Sequence, residues 1–334
     1  MTRWATAAAG IALVVALAWW FGLGDVGRAL RGASPQGLAL YGALTCMVLI
    51  AYGARWRLIA RAIGHAPPLA HSVAGRLASE AVSALVPSAR LAGEPVRIAV
   101  AHAHGAALAP ATAGVALDRW VDLIGNMCAV LGYVAVIALA RSQRAPANAL
   151  LIGGAMAILL LLMIPPLFQL SRGRRPFAPL HGARARRLAP RFTRWFDALA
   201  RVEGHIVVFF RAHPRTFLAA VAMALGTELL IVAQYAALFL AFGLALDLST
   251  VAAVLLGGGL SRAVPVPAGL GALEAAQVLT VGSVTGDAEL GFVVAVILRL
   301  HETLLLGLGL ASLPLLGCSL ARAFAPTVPQ EATS

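Results

Sequence analysis

Six apolar runs dominate this sequence, and each is long enough for a helix to cross a lipid bilayer. A crossing helix needs ~20 residues, whereas a membrane β-barrel would show short alternating segments. With 60% apolar and only 12% charged residues, the chain also differs from soluble domains, in which about 25% of residues are charged. We therefore predict an all-α polytopic membrane protein with spans at Ala5–Leu23, Gly37–Ala60, Ala111–Ala140, Ala149–Leu170, Thr216–Gly243 and Leu290–Leu316.

Two further apolar regions are broken in the middle by Pro, Gly and charged residues. His71–Leu108 is interrupted at residues 86–95, and Thr250–Gly282 at residues 264–274. Each arm is shorter than the ~20 residues of a span, which favours a re-entrant helical hairpin; two tilted half-spans are the alternative. Irregular backbone at membrane depth is tolerated where it is buried in protein or lines a water-filled cavity, so we expect both breaks to line one.

The basic charge of the chain is concentrated in one segment. All 26 basic residues are Arg, and eleven of them lie within residues 171–215, against only Asp197 and Glu203. The positive-inside rule predicts a cytoplasmic location for this segment, with both chain termini on the same side. By the same rule Arg55, Arg57 and Arg61 should face the cytoplasm.

The basic segment also contains an amphipathic stretch. Apolar residues recur there at three- and four-residue steps, with Arg on the other face, which is typical of a helix lying in the membrane interface near anionic headgroups. A helix packed under the bundle explains the pattern equally well. The apolar positions are Leu188, Phe192, Trp195, Phe196, Leu199, Val202, Ile206 and Phe209.

An internal repeat relates the two broken regions. The order Pro, Glu, Arg, acid occurs twice with identical spacing and an offset of 180 residues: Pro87, Glu94, Arg119 and Asp122, then Pro267, Glu274, Arg299 and Glu302. The predicted topology places the two hairpins on opposite sides of the membrane. We therefore predict a first repeat over residues 1–145 with hairpin 71–108, an inverted second repeat over 146–322 with basic loop 171–215 and hairpin 250–282, and a short tail over 323–334.

The repeated charges are the candidate site. Arg119 and Asp122, like Arg299 and Glu302, are three residues apart and project from one helix face. Charged residues inside a membrane turn inward and find partners. The sets Glu94–Arg119–Asp122 and Glu274–Arg299–Glu302 could hold a charged headgroup in a cavity, or could only clip each hairpin to the next span. Secondary candidates are Arg76, Glu80, Arg90 and Arg262.

Three other polar groups suggest no separate site. Glu228 and Gln234 are interpreted as a packing polar pair within one span. His102 and His104 diverge on a helix, so we expect no metal site there, and no cofactor-binding fingerprint occurs. His301 is expected to hydrogen-bond beside Arg299 and Glu302.

Four segments resemble a known family: SEAVSALVPSARLAGEPVR (79–97), ALDRWVDL (116–123), VPVPAGLGALEAA (264–276) and LRLHETLLLGLGL (298–310). They are similar to the flippase-like family named for the transmembrane domain of lysylphosphatidylglycerol synthase, and most similar to its hopanoid-biosynthesis-associated branch. The resemblance adds Arg97 to the site residues and places family motif positions in the hairpin breaks at Pro87, Gly93, Pro267, Gly269 and Gly271; Pro265 is a further break residue by its place in the second interruption. Ala92 departs from the family pattern, where a second Gly is common.

The resemblance implies a multi-pass protein of the bacterial inner membrane that moves a polar-headed or hopanoid-type lipid between leaflets. Its expected partners are membrane lipids, with anionic headgroups at the Arg-rich loop, and no nucleic acid. Alternatives are a lipid-modifying membrane enzyme and a non-transporting partner of a lipid-synthesis complex. An enzyme needs a nucleophile or metal beside its acid and base. The sequence offers neither, so we expect a protein that is not an enzyme.

Overall fold

The structure, a computed structural model, describes residues 32–86, 91–140, 147–263 and 271–317, and these residues are almost entirely helical. The helices, numbered in chain order, are α1 (Pro35–Ile63), α2 (Leu69–Leu85), α3 (Glu94–Ala103), α4 (Leu108–Ala140), α5 (Ala147–Ser171), α6 (Ala178–His181), α7 (Ala183–Leu188), α8 (Thr193–Ala212), α9 (Pro214–Ala241), α10 (Leu248–Ala263), α11 (Ala272–Thr285) and α12 (Ala288–Leu315).

Five of these helices are long and apolar enough to cross a membrane: α1, α4, α5, α9 and α12. They match five of the six predicted spans, and the predicted all-α polytopic class is confirmed. At 1.5 Å per residue, the shortest of them, the 25-residue α5, is about 37 Å long and exceeds the ~30 Å hydrocarbon core. The remaining predicted span, Ala5–Leu23, lies outside the described residues.

The two broken regions each form a pair of short helices. Helices α2 and α3 have 17 and 10 residues, and α10 and α11 have 16 and 14. The arms of each pair pack together, and in the second pair a side chain at Gly257 would overlap Thr280 on the opposite arm. The described helices end and begin at the edges of the predicted interruptions: α2 ends at Leu85, α3 begins at Glu94, α10 ends at Ala263 and α11 begins at Ala272. The side from which each pair enters the membrane stays a prediction.

The long helices approach each other through small residues, as is typical of membrane bundles. A Cβ added to Gly37 at the start of α1 would lie 2.6 Å from the Cα of Ala241 at the end of α9. The Ser34 N–H, just before α1, donates to the Ala241 carbonyl at 2.7 Å. These contacts show that α1 and α9 run antiparallel, as alternating crossings require.

Each hairpin packs against helices from both halves of the chain. Buried residues of α2 and α3, among them Val82 and Val100, share one apolar cluster with Leu306 and Leu310 of α12. Buried residues of α10 and α11 share another with Tyr41 of α1. The halves are therefore interlocked rather than separate.

The basic segment folds into α6–α8 between α5 and α9. The C-terminal half of α8 buries Ile206, Phe209 and Phe210 in a cluster with α1, α4, α5 and α9. In its N-terminal half, Trp195 is 64% exposed. The C-terminal half of the amphipathic helix therefore packs under the bundle. The N-terminal half extends beyond the helices that cover it.

Replacing Gly93 should destabilise the first hairpin. Its N–H donates to Ser83 Oγ at 2.9 Å, and a Cβ there would overlap the carbonyl of Ser79 on α2. Because the φ of Gly93 is an ordinary −83°, close approach to α2 is what requires glycine. We expect Gly93→Ala to cost about 1–3 kcal/mol or more, as overpacking does.

Thermal unfolding in detergent measures this effect, and Gly226→Ala on α9 is the matched control, because a Cβ there meets no atom within 4 Å. The control should unfold at or above the wild-type temperature, since alanine favours helix. Equal melting temperatures for the two variants would contradict the close approach.

Candidate functional site

A buried carboxylate on α4, Asp118, organises the first half of the site. Its Oδ1 accepts a hydrogen bond from Arg55 Nε of α1 at 2.8 Å, and its Oδ2 accepts one from Arg97 of α3. Arg55, Arg97 and Asp118 are each at most 1% exposed. One carboxylate thus joins a span, a hairpin arm and the following span.

Asp122, one turn further along α4, extends the network. It accepts hydrogen bonds from Arg55 at 2.8 Å, from Arg76 of α2 at 3.0 Å and from its neighbour Arg119 at 3.2 Å. Arg76 also pairs with Glu80 at 2.9 Å. Both arms of the first hairpin are therefore connected to α4 by charged groups.

Glu94 completes this set at the first turn of α3, where a carboxylate also meets the positive end of the helix dipole. It pairs with Arg97 at 3.0 Å and more loosely with Arg119, at 3.9 Å. The first network is defined here as four guanidinium groups and four carboxylates: Arg55, Arg76, Arg97 and Arg119 with Glu80, Glu94, Asp118 and Asp122.

Aromatic rings cover the guanidinium groups of the first network. The ring centroid of Tyr52 lies 4.6 Å from the guanidinium carbon of Arg76, and the ring centroid of Trp56 lies 4.7 Å from the guanidinium carbon of Arg97. Charges buried in a bundle are tolerated when they are paired and hydrogen-bonded. Among the described residues both signs occur in equal number, so this part of the first network is electrically balanced, which suits a clip that fixes the hairpin.

The second cluster, Glu274, Arg299 and Glu302, repeats part of this arrangement. Arg299 Nη2 on α12 donates to both carboxylate oxygens of Glu274 at 2.7 and 2.9 Å. Arg299 also contacts Glu302 at 3.4 Å, as Arg119 contacts Asp122 at 3.2 Å. The spacing that repeats in the sequence therefore corresponds to the same pairings in both halves.

The rest of the first network has no charged counterpart at the 180-residue offset. Tyr235, Leu256, Leu260, Gln277 and Leu298 occupy the positions that correspond to Arg55, Arg76, Glu80, Arg97 and Asp118. Gln277 is fully buried, and its amide nitrogen donates to the Val254 carbonyl at 2.9 Å. The second half therefore keeps the repeated pairings in a far less charged setting.

Arg262, at the end of α10, lies between the two sets. Its Nε donates to the Gly258 carbonyl of its own helix at 2.8 Å. It interacts electrostatically with Glu302 of the second cluster and with Glu80 of the first network. Arg262 is exposed, and the side chains of Glu80 and Glu302 are 33% and 36% exposed, so charges of both signs are accessible there.

The polar pair predicted within α9 is not formed. Glu228 accepts a hydrogen bond from Tyr133 of α4 at 3.4 Å, and Gln234 donates to Thr45 of α1 at 2.8 Å. Because the two side chains point to different neighbouring helices, each joins α9 to another span. His301, expected beside Arg299 and Glu302, instead hydrogen-bonds Tyr41 of α1.

Sequence reasoning missed two central residues. The cytoplasmic side predicted for Arg55 stays a prediction, but its burial was not predicted: α1 continues past Arg55 and buries it to 1% exposure. Asp118 was overlooked beside Arg119. Both had a signal: Arg55 lies inside a predicted span, and Asp118 is four residues from Asp122, which places both carboxylates on one helix face.

Five predicted positions at the hairpin breaks lie outside the described residues. Of the other two, Gly93 packs closely on α2, and Gly271 precedes α11 with a φ of +76°, a conformation that glycine adopts readily. The five are Pro87, Arg90, Pro265, Pro267 and Gly269.

Neutralising Asp118 should destabilise the protein strongly. Asp118→Asn leaves Arg97 and Arg55 with less compensation, and breaking a buried ion pair costs about 3–5 kcal/mol. Asp118→Asn combined with Arg97→Gln should recover part of that loss. Detergent melting temperatures measure both effects, with Glu289→Gln, an exposed carboxylate at the start of α12, as the control. Wild-type stability of Asp118→Asn alone would refute the clip.

Comparison with known proteins places this arrangement in a family. The profile described as the lysylphosphatidylglycerol synthase TM region matches residues 7–309. A UPF0104 membrane protein of Methanothermobacter thermautotrophicus is 38% identical over 88 residues, which cover 26% of this chain and 25% of that relative. The chain thus aligns with about a quarter of that relative's length. Because the profile covers nearly the whole chain, including both charged sets, the chain belongs to the family of lysylphosphatidylglycerol synthase transmembrane regions.

Proposed function

We propose that this protein moves a polar-headed membrane lipid between the two leaflets, past the exposed Arg262 and the half-buried Glu80 and Glu302 of the two hairpin regions. Membership of the family supports a lipid-related role at the membrane. The observation on which the proposal depends is the accessible guanidinium of Arg262, which forms no ion pair among the residues described in the structure.

The position of Arg262 supports this role because its helix, α10, is one arm of a hairpin with an interrupted middle. Two broken helical pairs that meet in a membrane are an architecture that transporters use for substrate sites. Irregular backbone is stable there only if protein or water surrounds it, so a polar passage between the hairpins is consistent with the breaks.

The chemistry of the exposed groups fits a lipid headgroup. A guanidinium binds phosphate or carboxylate oxygens through two parallel hydrogen bonds, which makes Arg262 suitable for an anionic part of a headgroup. Glu80 and Glu302 can attract a cationic or hydroxyl-rich part. A hopanoid-type lipid with a polar headgroup is among the candidate substrates, because of the branch that the sequence resembles.

The second candidate is a lipid-modifying enzyme, which the synthase in the family description brings into consideration. The two functions predict different products. A transporter changes the leaflet of an intact lipid, whereas an enzyme changes its covalent structure. Mass spectrometry of lipids recovered from the transport assay distinguishes them.

The transport proposal includes an inverted repeat in the bacterial inner membrane, with both termini in the cytoplasm. In a background without Cys46, Cys128 and Cys318, His65→Cys should react with impermeant maleimide from the same side as Arg174→Cys in the basic segment. Glu289→Cys, in the first turn of α12, should react only from the other side. Labelling of all three from one side of intact cells would contradict the inverted topology.

Replacing Arg262 should slow lipid transport strongly without unfolding the protein. We expect Arg262→Gln to slow lipid movement about 10-fold or more, because a hydrogen bond to a charged group contributes about 1.5–3 kcal/mol. Its melting temperature should stay near that of wild type, because Arg262 is exposed and bonds only within its own helix among the described residues. Dithionite bleaching of fluorescent phosphatidylglycerol and phosphatidylethanolamine in proteoliposomes measures the rate.

The matched control is Arg201→Gln, which removes an exposed Arg from the basic segment, far along the chain from both hairpins. It should leave the rate unchanged. Wild-type rates for Arg262→Gln with both probe lipids would overturn the proposed passage, while rates in wild-type vesicles equal to those in protein-free vesicles would argue against transport of these lipids altogether.

A further inference from the structure

The apolar face of α8 is covered over only half of its length. Trp195 and Val202 are seven residues apart, as are Leu199 and Ile206, so all four lie on one side of the helix. Ile206 is 7% exposed against the bundle, whereas Leu199 is 40% and Trp195 is 64% exposed. The apolar stripe continues along α8, but the bundle covers only the C-terminal part of it.

The direction of the uncovered half follows from the covered half. Ile206 shares its apolar cluster with Leu117 of α4 and Leu170 of α5, and both of these helices are long and apolar enough to cross a membrane. The face of α8 that packs on these helices is therefore the face turned towards the membrane. Trp195 and Leu199 lie on this same face of α8, so they point the same way beside the bundle. At 1.5 Å per residue the 20-residue α8 is about 30 Å long, which carries its N-terminal half past the covering helices.

Polar contacts fix the orientation of α8 about its axis. Glu203, 2% exposed, pairs with His181 of α6 at 2.6 Å and accepts a hydrogen bond from the Phe177 N–H at 2.7 Å. The Phe177 ring packs edge-on against Trp120 of α4, at 5.6 Å between centroids. Because Glu203 is held to α6 and α6 is held to α4, α8 cannot rotate to hide its apolar residues.

The charges around the uncovered face are positive. Arg187 and Arg191, which lead into the uncovered half of α8, are exposed. The two carboxylates of the segment are already paired, Asp197 with Arg186 at 2.7 Å and Glu203 with His181. Cations next to exposed apolar side chains match a leaflet with anionic headgroups, to which polybasic segments are attracted within about a Debye length.

We propose that the N-terminal half of α8 is a lipid-binding surface, in which Trp195 and Leu199 enter the adjacent leaflet while the surrounding Arg residues hold anionic headgroups. Continuity with the covered half and the charge of the segment identify the bilayer as the occupant. This role does not depend on lipid transport, because it concerns only how the segment is seated.

Fluorescence quenching with matched positions tests the proposal. Leu199→Cys and Val208→Cys, in the cysteine-free full-length protein, are labelled with the same fluorophore. Val208 is 61% exposed and lies nine residues from Leu199, on the opposite face of α8. Vesicles contain phosphatidylcholine alone or a 3:1 mixture with phosphatidylglycerol, plus nitroxide-labelled lipid, and iodide is the aqueous quencher.

At position 199, we expect at least two-fold stronger quenching by the lipid nitroxide than at position 208, and the reverse with iodide. The difference should be greater with phosphatidylglycerol and should fall in Arg187→Gln/Arg191→Gln. Equal iodide quenching at both positions would overturn the proposal, and lipid quenching that ignores phosphatidylglycerol would overturn its headgroup part. If position 199 is protected from iodide only when vesicles hold several protein molecules, and not at one protein per vesicle, the occupant is a second copy of the protein instead.

Discussion

The carboxylate of Asp118 is the group on which the described first half of the bundle depends. It lies at 0% exposure between Arg55 and Arg97, so three helices meet at one buried negative charge. A charge in that position is stable only while its partners stay in place. The positions of α1, α3 and α4 are therefore coupled, and a shift of the first hairpin would have to separate buried ion pairs.

The second half uses the same repeated pairing in a different way. Arg299 binds Glu274 through both oxygens, but Leu298 occupies the position equivalent to Asp118. In the described part of the second hairpin, the ion pairs to its span are those of Arg299, and Arg262 interacts electrostatically with Glu80 of the first network. The two halves therefore suit two different roles. The charged network of the first half suits fixing its hairpin, and the accessible Arg262 of the second half suits the headgroup binding that we propose.

The basic segment shows the same combination of fixed and exposed parts. Glu203 and His181 are buried together, and Phe209 and Phe210 pack under the spans, so the C-terminal half of α8 is an integral part of the fold. The exposed Trp195 then has a defined direction. Amphipathic periodicity predicts both a packed helix and an interfacial helix, and the extent of the bundle decides where each description applies.

The sequence by itself determined the elements of this protein. Apolar runs longer than a bilayer is thick predicted the spans α1, α4, α5, α9 and α12, and Pro, Gly and charge within shorter runs predicted the two helical pairs. The spacing of Arg119 and Asp122 also located two members of the first network, because residues three apart on a helix share a face. These features depend on helical periodicity and on the cost of exposing backbone to lipid, both of which are local.

Only the tertiary structure decided which charges meet. Arg55 and Asp118 are 63 residues apart, and Gln234 reaches Thr45 across 189 residues, separations that no helical period relates. The cytoplasmic side of Arg55 stays a prediction, and its burial was not predicted because a rule about charge counts says nothing about a single Arg that finds a buried carboxylate. Partner choice depends on how helices pack, and packing is fixed by contacts distant in sequence, such as Gly37 with Ala241.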